Sequence, residues 1–193
     1  MAFYATQIGN KGHYLDLVTK VGNLSSNYQT TYGDSADFDN WAFSAGAEYG
    51  RKKALGNEWF VEPQAQLTYY FLKGDNYTTK NGATVNQDNT DNLVGRLGAV
   101  LTKEYDKETK NPKRFYVKAS VQHDFLGGRS QHLQQNGMSY YDSNDFRDTW
   151  YTVGIGTNVH SDDKYAFYFD AEKNFGADFK SKYRVKVGLR YEF

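Results

Sequence analysis

The final eleven residues, Tyr183-Arg-Val-Lys-Val-Gly-Leu-Arg-Tyr-Glu-Phe193, alternate without a break. In an extended strand successive side chains point to opposite sides. Tyr183, Val185, Val187, Leu189, Tyr191 and Phe193 therefore share one face, while Arg184, Lys186, Gly188, Arg190 and Glu192 share the other. Such a strand needs an apolar medium on one side and a polar one on the other. A β-barrel spanning a bilayer supplies both, with lipid outside and a polar lumen inside.

The rest of the chain repeats this pattern. Alternation predicts strands over His13–Val21, Trp41–Tyr49, Trp59–Phe71, Leu93–Lys103, Phe115–Phe125, Thr149–Val159, Tyr165–Lys173 and Tyr183–Phe193. In the second, Trp41, Phe43, Ala45, Ala47 and Tyr49 oppose Ser44, Gly46 and Glu48; in the fifth, Phe115, Val117, Ala119 and Val121 oppose Tyr116, Lys118, Ser120 and Gln122. Pro63 interrupts the donors of the third and stands out as an anomaly there. Averaging an apolar face with a polar one explains a mean hydropathy of -0.80 in a membrane-spanning chain. No window approaches the ~18 consecutive apolar residues of a transmembrane helix. The chain has no Cys, which excludes disulfides and thiolate zinc sites, and its 23 basic residues match its 23 acidic ones, which gives no support to a nucleic-acid partner. Met1-Ala-Phe-Tyr-Ala-Thr6 lacks the basic-then-apolar pattern of a secretory signal, so an exported protein is expected to be a mature form or the tail of a longer precursor.

The connections alternate as well. Arg51–Gly56 and Ser161–Asp163 are short and Glu104–Lys113 is intermediate and charged, whereas Gly22–Asp39, Lys73–Asn92 and Leu126–Asp148 are long, polar and rich in Gly, Asn and Asp, and are expected to be loops. Outer-membrane barrels have short periplasmic turns and longer external loops. Placing the C-terminus in the periplasm puts all three long connections outside. A soluble barrel with the apolar faces inward is the opposite assignment. It conflicts with the aromatic residues that close both ends of the apolar faces, Trp41 and Tyr49 on one strand and Trp59 and Tyr69 on another, which suit the girdles at the two membrane interfaces.

The polar faces carry seven acids (Asp16, Glu48, Glu62, Asp124, Asp170, Glu172, Glu192) and six bases (Lys20, Arg96, Lys118, Arg184, Lys186, Arg190), a near-neutral set suited to pairing in a lumen. Catalytic signals are weak. His123 and Asp124 are adjacent and point apart, so they form no dyad. His132 falls in a long connection near Asp142 and Asp145, the place for a loop-borne hydrolase site, with no Ser/His/Asp spacing to support one. Asp170 and Glu172 could form a carboxylate pair, though pairing within the lumen explains them more simply. Asp34, Asp37 and Asp39, or Asp88 and Asp91, could hold Ca²⁺, but solvated loop charge is the default reading for them. No enzyme activity, metal or cofactor is expected.

Several stretches resemble the C-terminal translocator domain of autotransporters, the type V secretion proteins. Gly12-His-Tyr-Leu-Asp16 resembles that family's Gly-Phe-Tyr-Val-Asp strand. Trp59-Phe-Val-Glu-Pro-Gln-Ala-Gln-Leu-Thr-Tyr69 resembles its aromatic-Val-Glu-Pro-Gln-Ala-Gln strand and accounts for Pro63. Asp75-Asn-Tyr-Thr-Thr79, Gly95-Arg-Leu-Gly98, Trp150-Tyr-Thr-Val-Gly-Ile-Gly156 and Val187-Gly-Leu-Arg-Tyr-Glu-Phe193 continue the series in order. The resemblance implies an all-β, antiparallel, up-and-down transmembrane barrel: residues 1–193 would be one domain supplying the last eight of the family's twelve strands, with 1–11 the remnant of a preceding strand and turn, and with the first strands and the lumen helix lacking. These eight strands could alternatively close alone; an eight-stranded barrel is filled by its own side chains.

The implied function is to anchor an N-terminal passenger, covalently attached and absent here, and export it to the surface of a Gram-negative bacterium. The partners implied are outer-membrane lipid and the β-barrel assembly machinery. The expected lumen residues are Glu48, Glu62, Gln64, Gln66, Arg96, Lys118, Asp170, Glu172, Arg184 and Arg190. Tyr183, Val185, Val187, Leu189, Tyr191 and Phe193 are the expected assembly signal, since an alternating strand ending in Phe is what the assembly machinery reads in this class. The rival is a self-standing eight-stranded barrel whose external loops bind a surface ligand.

Overall fold

The computed structural model describes residues 1–106, 112–161, 164–176 and 183–191. The strands are β1 (Ala2–Ile8), β2 (His13–Gln29), β3 (Ser35–Arg51), β4 (Lys53–Gly56), β5 (Trp59–Leu72), β6 (Asn76–Thr78), β7 (Thr84–Gln87), β8 (Thr90–Tyr105), β9 (Lys113–Asp124), β10 (Gly128–Gln135), β11 (Met138–Asp145), β12 (Thr149–Ser161), β13 (Tyr165–Phe175) and β14 (Tyr183–Tyr191). Nine of them form an antiparallel meander in the order β1-β2-β3-β5-β8-β9-β12-β13-β14. All eight expected segments are found in it. β1 adds a ninth strand, in register with β2 from Ala2↔Lys20 to Ile8↔Tyr14, where sequence suggested only a remnant. Among the described residues β1 pairs only with β2 and β14 only with β13, so the sheet is open rather than a closed eight-stranded barrel.

Among the described residues the connections at one end of the meander are short, as at 9–12 and around β4, and the long ones gather at the other, as the pattern of connections predicts; the intermediate connection Glu104–Lys113 lies partly outside the described residues. They are not loops, however. β2 and β3 stay paired as far as Gln29↔Ser35, so most of 22–39 is a hairpin that projects past the membrane-crossing part. The stretch 73–89 holds β6 and β7, and 128–145 is the β10–β11 hairpin. β10 also pairs with β7, from Gln131↔Gln87 to Gln134↔Thr84, making an outer four-stranded sheet. Asn136 and Gly137 turn the β10–β11 hairpin with φ of 51° and 77°, the geometry for which Asn-Gly is suited. The polar composition of these segments hid their strand character: their apolar residues are few, among them the buried Ala36, Ala83 and Val85 and the Phe38 ring stacked on Tyr77, and do not repeat with the period that marks a strand in sequence.

Pro63 sits where β5 changes partner. Gln64 is opposite Gly50 of β3 and Val61 is opposite Lys53 of β4, so the residue without an N–H lies at the break between the two.

Burial is inverted relative to a water-soluble domain. Among the described residues the buried apolar side chains are all small: Ala36, Ala83, Val85, Val100 and Ala166. The large ones are outside, with Leu97 63% exposed, Ile155 57% and Leu189 68%. Shielding a Leu or Ile side chain from water is worth roughly 1.5–3 kcal/mol, so a whole face of them left bare in water would drive aggregation. Lipid removes that difficulty, and it leaves the opposite face of the sheet to polar chemistry.

Candidate functional site

The polar face carries two clusters of linked side chains. In the first, Arg96 on β8 reaches across β5 to Glu48 on β3. Its Nη2 donates to Glu48 Oε2 at 2.7 Å, its Nε to Gln66 Oε1 at 2.9 Å and its Nη1 to Gln64 Oε1 at 3.2 Å. Gln64 Nε2 donates to Glu62 Oε1 at 2.7 Å. Tyr14 closes the group, its hydroxyl donating to Glu48 at 2.8 Å and Glu62 at 3.1 Å and accepting from Gln64 at 3.0 Å. Five expected lumen residues (Glu48, Glu62, Gln64, Gln66 and Arg96) thus meet in one network.

The second cluster lies on β9, β13 and β14. Lys118 Nζ bridges Asp170 at 2.6 Å and Glu172 at 2.7 Å. Tyr116 donates its hydroxyl to Asp170 at 2.7 Å, and Arg184 Nη1 pairs with Glu172 at 3.2 Å. The two neighbouring carboxylates are therefore an ion-pair site, not an acid–base couple. Arg190 is on the same face, opposite Ala166, away from this cluster.

Sequence reasoning missed Tyr14 and Tyr116 as the hubs, and with them the glycines that make room for them. Gly156 of β12 is in register with Tyr116 on one side and Asp170 on the other. A Cβ there would overlap the tyrosine ring and hydroxyl, so only glycine lets Tyr116 lie flat across β12 to reach β13. Gly154 stands likewise between Lys118 and Glu172, and Gly50 between Tyr14 and Gln64. The available signal was an aromatic on a polar face with an inward glycine one strand away, but it needs the register, which sequence does not give.

The apolar face ends in aromatics. Trp41 is near the end with the long connections, and Tyr49 and Trp59 are near the other; all three are well exposed. Tyr49 contacts the His13 ring and Nδ1 through its ring and hydroxyl. Lys103 lies over Trp59 and Tyr105 while pairing with Glu58 at 3.4 Å. Tyr69 is half-buried and donates its hydroxyl to Asp91, so it is a tethered member of this set. On β14, Tyr183, Val185, Val187, Leu189 and Tyr191 share the outer face; Phe193 lies outside the described residues.

Most of the remaining candidates have structural partners. Asp124 accepts from Asn92, Leu93, Leu126 and Gly127, pinning the start of the 125–148 connection. His123 Nδ1 is 2.7 Å from Thr149 Oγ1. His132 is opposite Tyr141, while Asp142 accepts from Gln131 and Asn144 and Asp145 from Arg147. That guanidinium holds the Asp145 carboxyl at about 2. Asp34 caps Ser35 and Asn81, and Asp88 accepts from Ser130, so these acids tie the outer hairpins together.

An antiparallel meander that is apolar outside, ion-paired inside and ringed by aromatics belongs to the transmembrane β-barrel class. Comparison with known proteins narrows this. The autotransporter beta-domain family model matches residues 1–172, and the chain belongs to that family. It is 27% identical over 194 residues to a pertactin autotransporter of Bordetella bronchiseptica, covering 98% of this chain and 21% of the relative. It is 24% identical over 198 residues to the serine protease EatA of Escherichia coli, covering 98% of this chain and 14% of the relative. The chain thus spans about a fifth or less of the curated relatives it matches. The crystal structure of the beta domain of the Bordetella autotransporter BrkA superposes with a TM-score of 0.68 at 23% identity, over 100% of this chain and 71% of that one, which shows a shared fold.

Proposed function

We propose that this domain is an outer-membrane translocator and anchor, which carries an N-terminal passenger to the surface of a Gram-negative cell and holds it there. The observation that carries this reading is the pairing of a lipid-compatible outer face with a continuous polar inner face in a chain of the autotransporter beta-domain family. Relatives with different printed names, a pertactin and a serine protease, share this segment, which supports placing their differing activities outside it. No catalytic role is assigned to the domain. Glu48, Glu62, Gln64, Gln66 and Arg96, with Lys118, Asp170, Glu172, Arg184 and Arg190, line the path of the passenger's linker. Their internal pairing keeps the wall rigid and leaves it without net attraction for a passing chain.

In this reading the end bearing β10–β11 is extracellular and the C-terminus periplasmic. The chain has no cysteine of its own, so labelling gained over the unsubstituted protein reports an introduced one. In the intact protein on whole cells, Gly137→Cys is expected to react with a membrane-impermeant maleimide and Asp106→Cys to stay unlabelled until the outer membrane is permeabilised. The opposite pattern would invert the topology and end the export reading.

β14 and the terminal Phe193 also serve as the signal for the β-barrel assembly machinery, recognised by strand pairing with alternate side chains giving specificity. Removing Phe193 is expected to lower the amount of heat-modifiable, folded protein in the outer membrane several-fold. Unchanged assembly would reduce Tyr191 and Phe193 to girdle residues.

A further inference from the structure

Two features of the outer face have no part in carrying a passenger. The first is a furrow of about 660 Å³ running diagonally across β8, β9, β12, β13 and β14. Its shallow points are the small side chains Ala99, Ala119 and Ala171, with Val153 of β12 between the last two and Leu101, Val117 and Ile155 alongside as banks. Ala99 and Ala119 are directly opposite each other, as are Ala171 and Ile155, so the depression follows from sequence and register rather than from a gap between strands. The second is Lys173 at the head of this furrow. It faces outward, opposite Val153 and Tyr183, with its Nζ 4.9 Å from the centre of the Phe175 ring and 5.2 Å from that of Tyr183.

Lys173 differs from its counterpart at the other rim. Lys103 also lies between aromatics, but it pairs with Glu58. Among the described residues no carboxylate pairs with Lys173. It lies eight residues above Tyr165 at the other end of β13, about 20 Å along the membrane normal once strand tilt is allowed for, which is the upper part of the roughly 25 Å apolar band, and from there its long side chain reaches up to the headgroups. A cation held there over aromatic faces, above an acyl-sized furrow, is complementary in charge and shape to a lipid phosphate with its chain below.

We propose that Lys173, Phe175 and Tyr183 form a site for a phosphate-bearing, acylated lipid of the outer leaflet, with the phosphate on Lys173 Nζ and one acyl chain along the Ala99–Ala119–Ala171 furrow. The proposal rests on the extracellular placement of the β13–β14 end. The bound lipid would fix this side of the barrel at a defined depth.

The test is native mass spectrometry of the intact protein, folded in neutral detergent and titrated with bis-phosphorylated lipid A, its dephosphorylated form, phosphatidylglycerol and inorganic phosphate. Gel heat-modifiability of the same samples separates a folding failure from a binding failure. Bis-phosphorylated lipid A is expected to be retained, and Lys173→Gln to weaken retention roughly tenfold, the scale of losing a hydrogen bond to a charged group. Lys173→Arg should restore it, Ala119→Phe should weaken it by filling the furrow, and Lys103→Gln should leave it unchanged. Equal retention by wild type and Lys173→Gln, or equal retention of the dephosphorylated lipid, would overturn the site. Preference for phosphatidylglycerol over lipid A would overturn its outer-leaflet assignment, and saturation by inorganic phosphate alone would remove the acyl furrow from it.

Discussion

Ile155→Arg is expected to lower the stability of the folded chain in a bilayer by about 2–4 kcal/mol, the cost of placing a guanidinium near the midplane on the lipid side of a barrel strand. Ile155 is 57% exposed on β12, opposite Val117 and Ala171, with apolar neighbours on both flanking strands. Its neighbours along β12 on that face are Val153 and Thr157, and the Thr157 hydroxyl donates to the Arg114 carbonyl at 3.0 Å, so neither supplies a counter-charge to the guanidinium. A charge on the other face is a different matter. Ser44→Glu on β3, opposite Lys20, is expected to change stability by less than about 0.5 kcal/mol, because it joins a polar surface next to a cation. Urea titration of both variants in the same lipid vesicles checks the pair. Equal effects at the two positions would mean that the outer face does not meet lipid.

Lys118→Met is the second large effect, and it acts from within. Lys118 is the cation shared by Asp170 and Glu172, whose side chains are only 9% and 14% exposed. Removing one partner of a buried ion pair costs about 3–5 kcal/mol because the remaining charge is stranded. Lys118 retains some contact with solvent, and Tyr116 and Arg184 still serve the two carboxylates, so a loss of about 2–3 kcal/mol is expected here. Adding Asp170→Asn should recover part of that loss, since it removes the stranded charge. The non-additivity in a double-mutant cycle, measured by the same titration, is the diagnostic quantity. Additive effects would show that the three residues do not act as one unit.

These two expectations mark what could be read from the chain and what could not. The side on which Ile155, Val117 and Val187 stand follows from period-two alternation alone, because membrane strands have no other way to separate lipid from lumen. The same logic placed Glu48, Arg96, Lys118 and Asp170 on one face. It could not say that Arg96 would reach Glu48 over β5, or that Lys118 would pass over Gly154, since both depend on stagger between strands that are not neighbours in sequence. The glycines were legible as breaks in side-chain volume but not as slots for Tyr14 and Tyr116. The outer sheet of β6, β7, β10 and β11 was invisible for a third reason. Backbone pairing, polar ties such as Asp34 to Asn81 and a few buried apolar side chains (Ala36, Ala83 and Val85) hold it, too few and too irregular in sequence to give a hydrophobic period.

The open sheet cannot by itself be the whole membrane-inserted structure. Unpaired strand edges cannot face hydrocarbon, where each unsatisfied amide or carbonyl costs several kcal/mol. The free sides of β1 and β14 must therefore be covered in the membrane, and the resemblance to a barrel of which this chain covers 71% is consistent with further strands doing so.

The central claim is that the polar face lines the route of an attached polypeptide, and site-specific photocrosslinking in the intact protein tests it most directly. With a photoreactive residue at Gln66 or Gln122, both on the polar face, the account predicts intramolecular crosslinks to the segment preceding this domain during export, and none from Leu97 or Ile155, which should capture lipid instead. Crosslinks to that segment from Leu97 or Ile155, with none from Gln66 or Gln122, would contradict it.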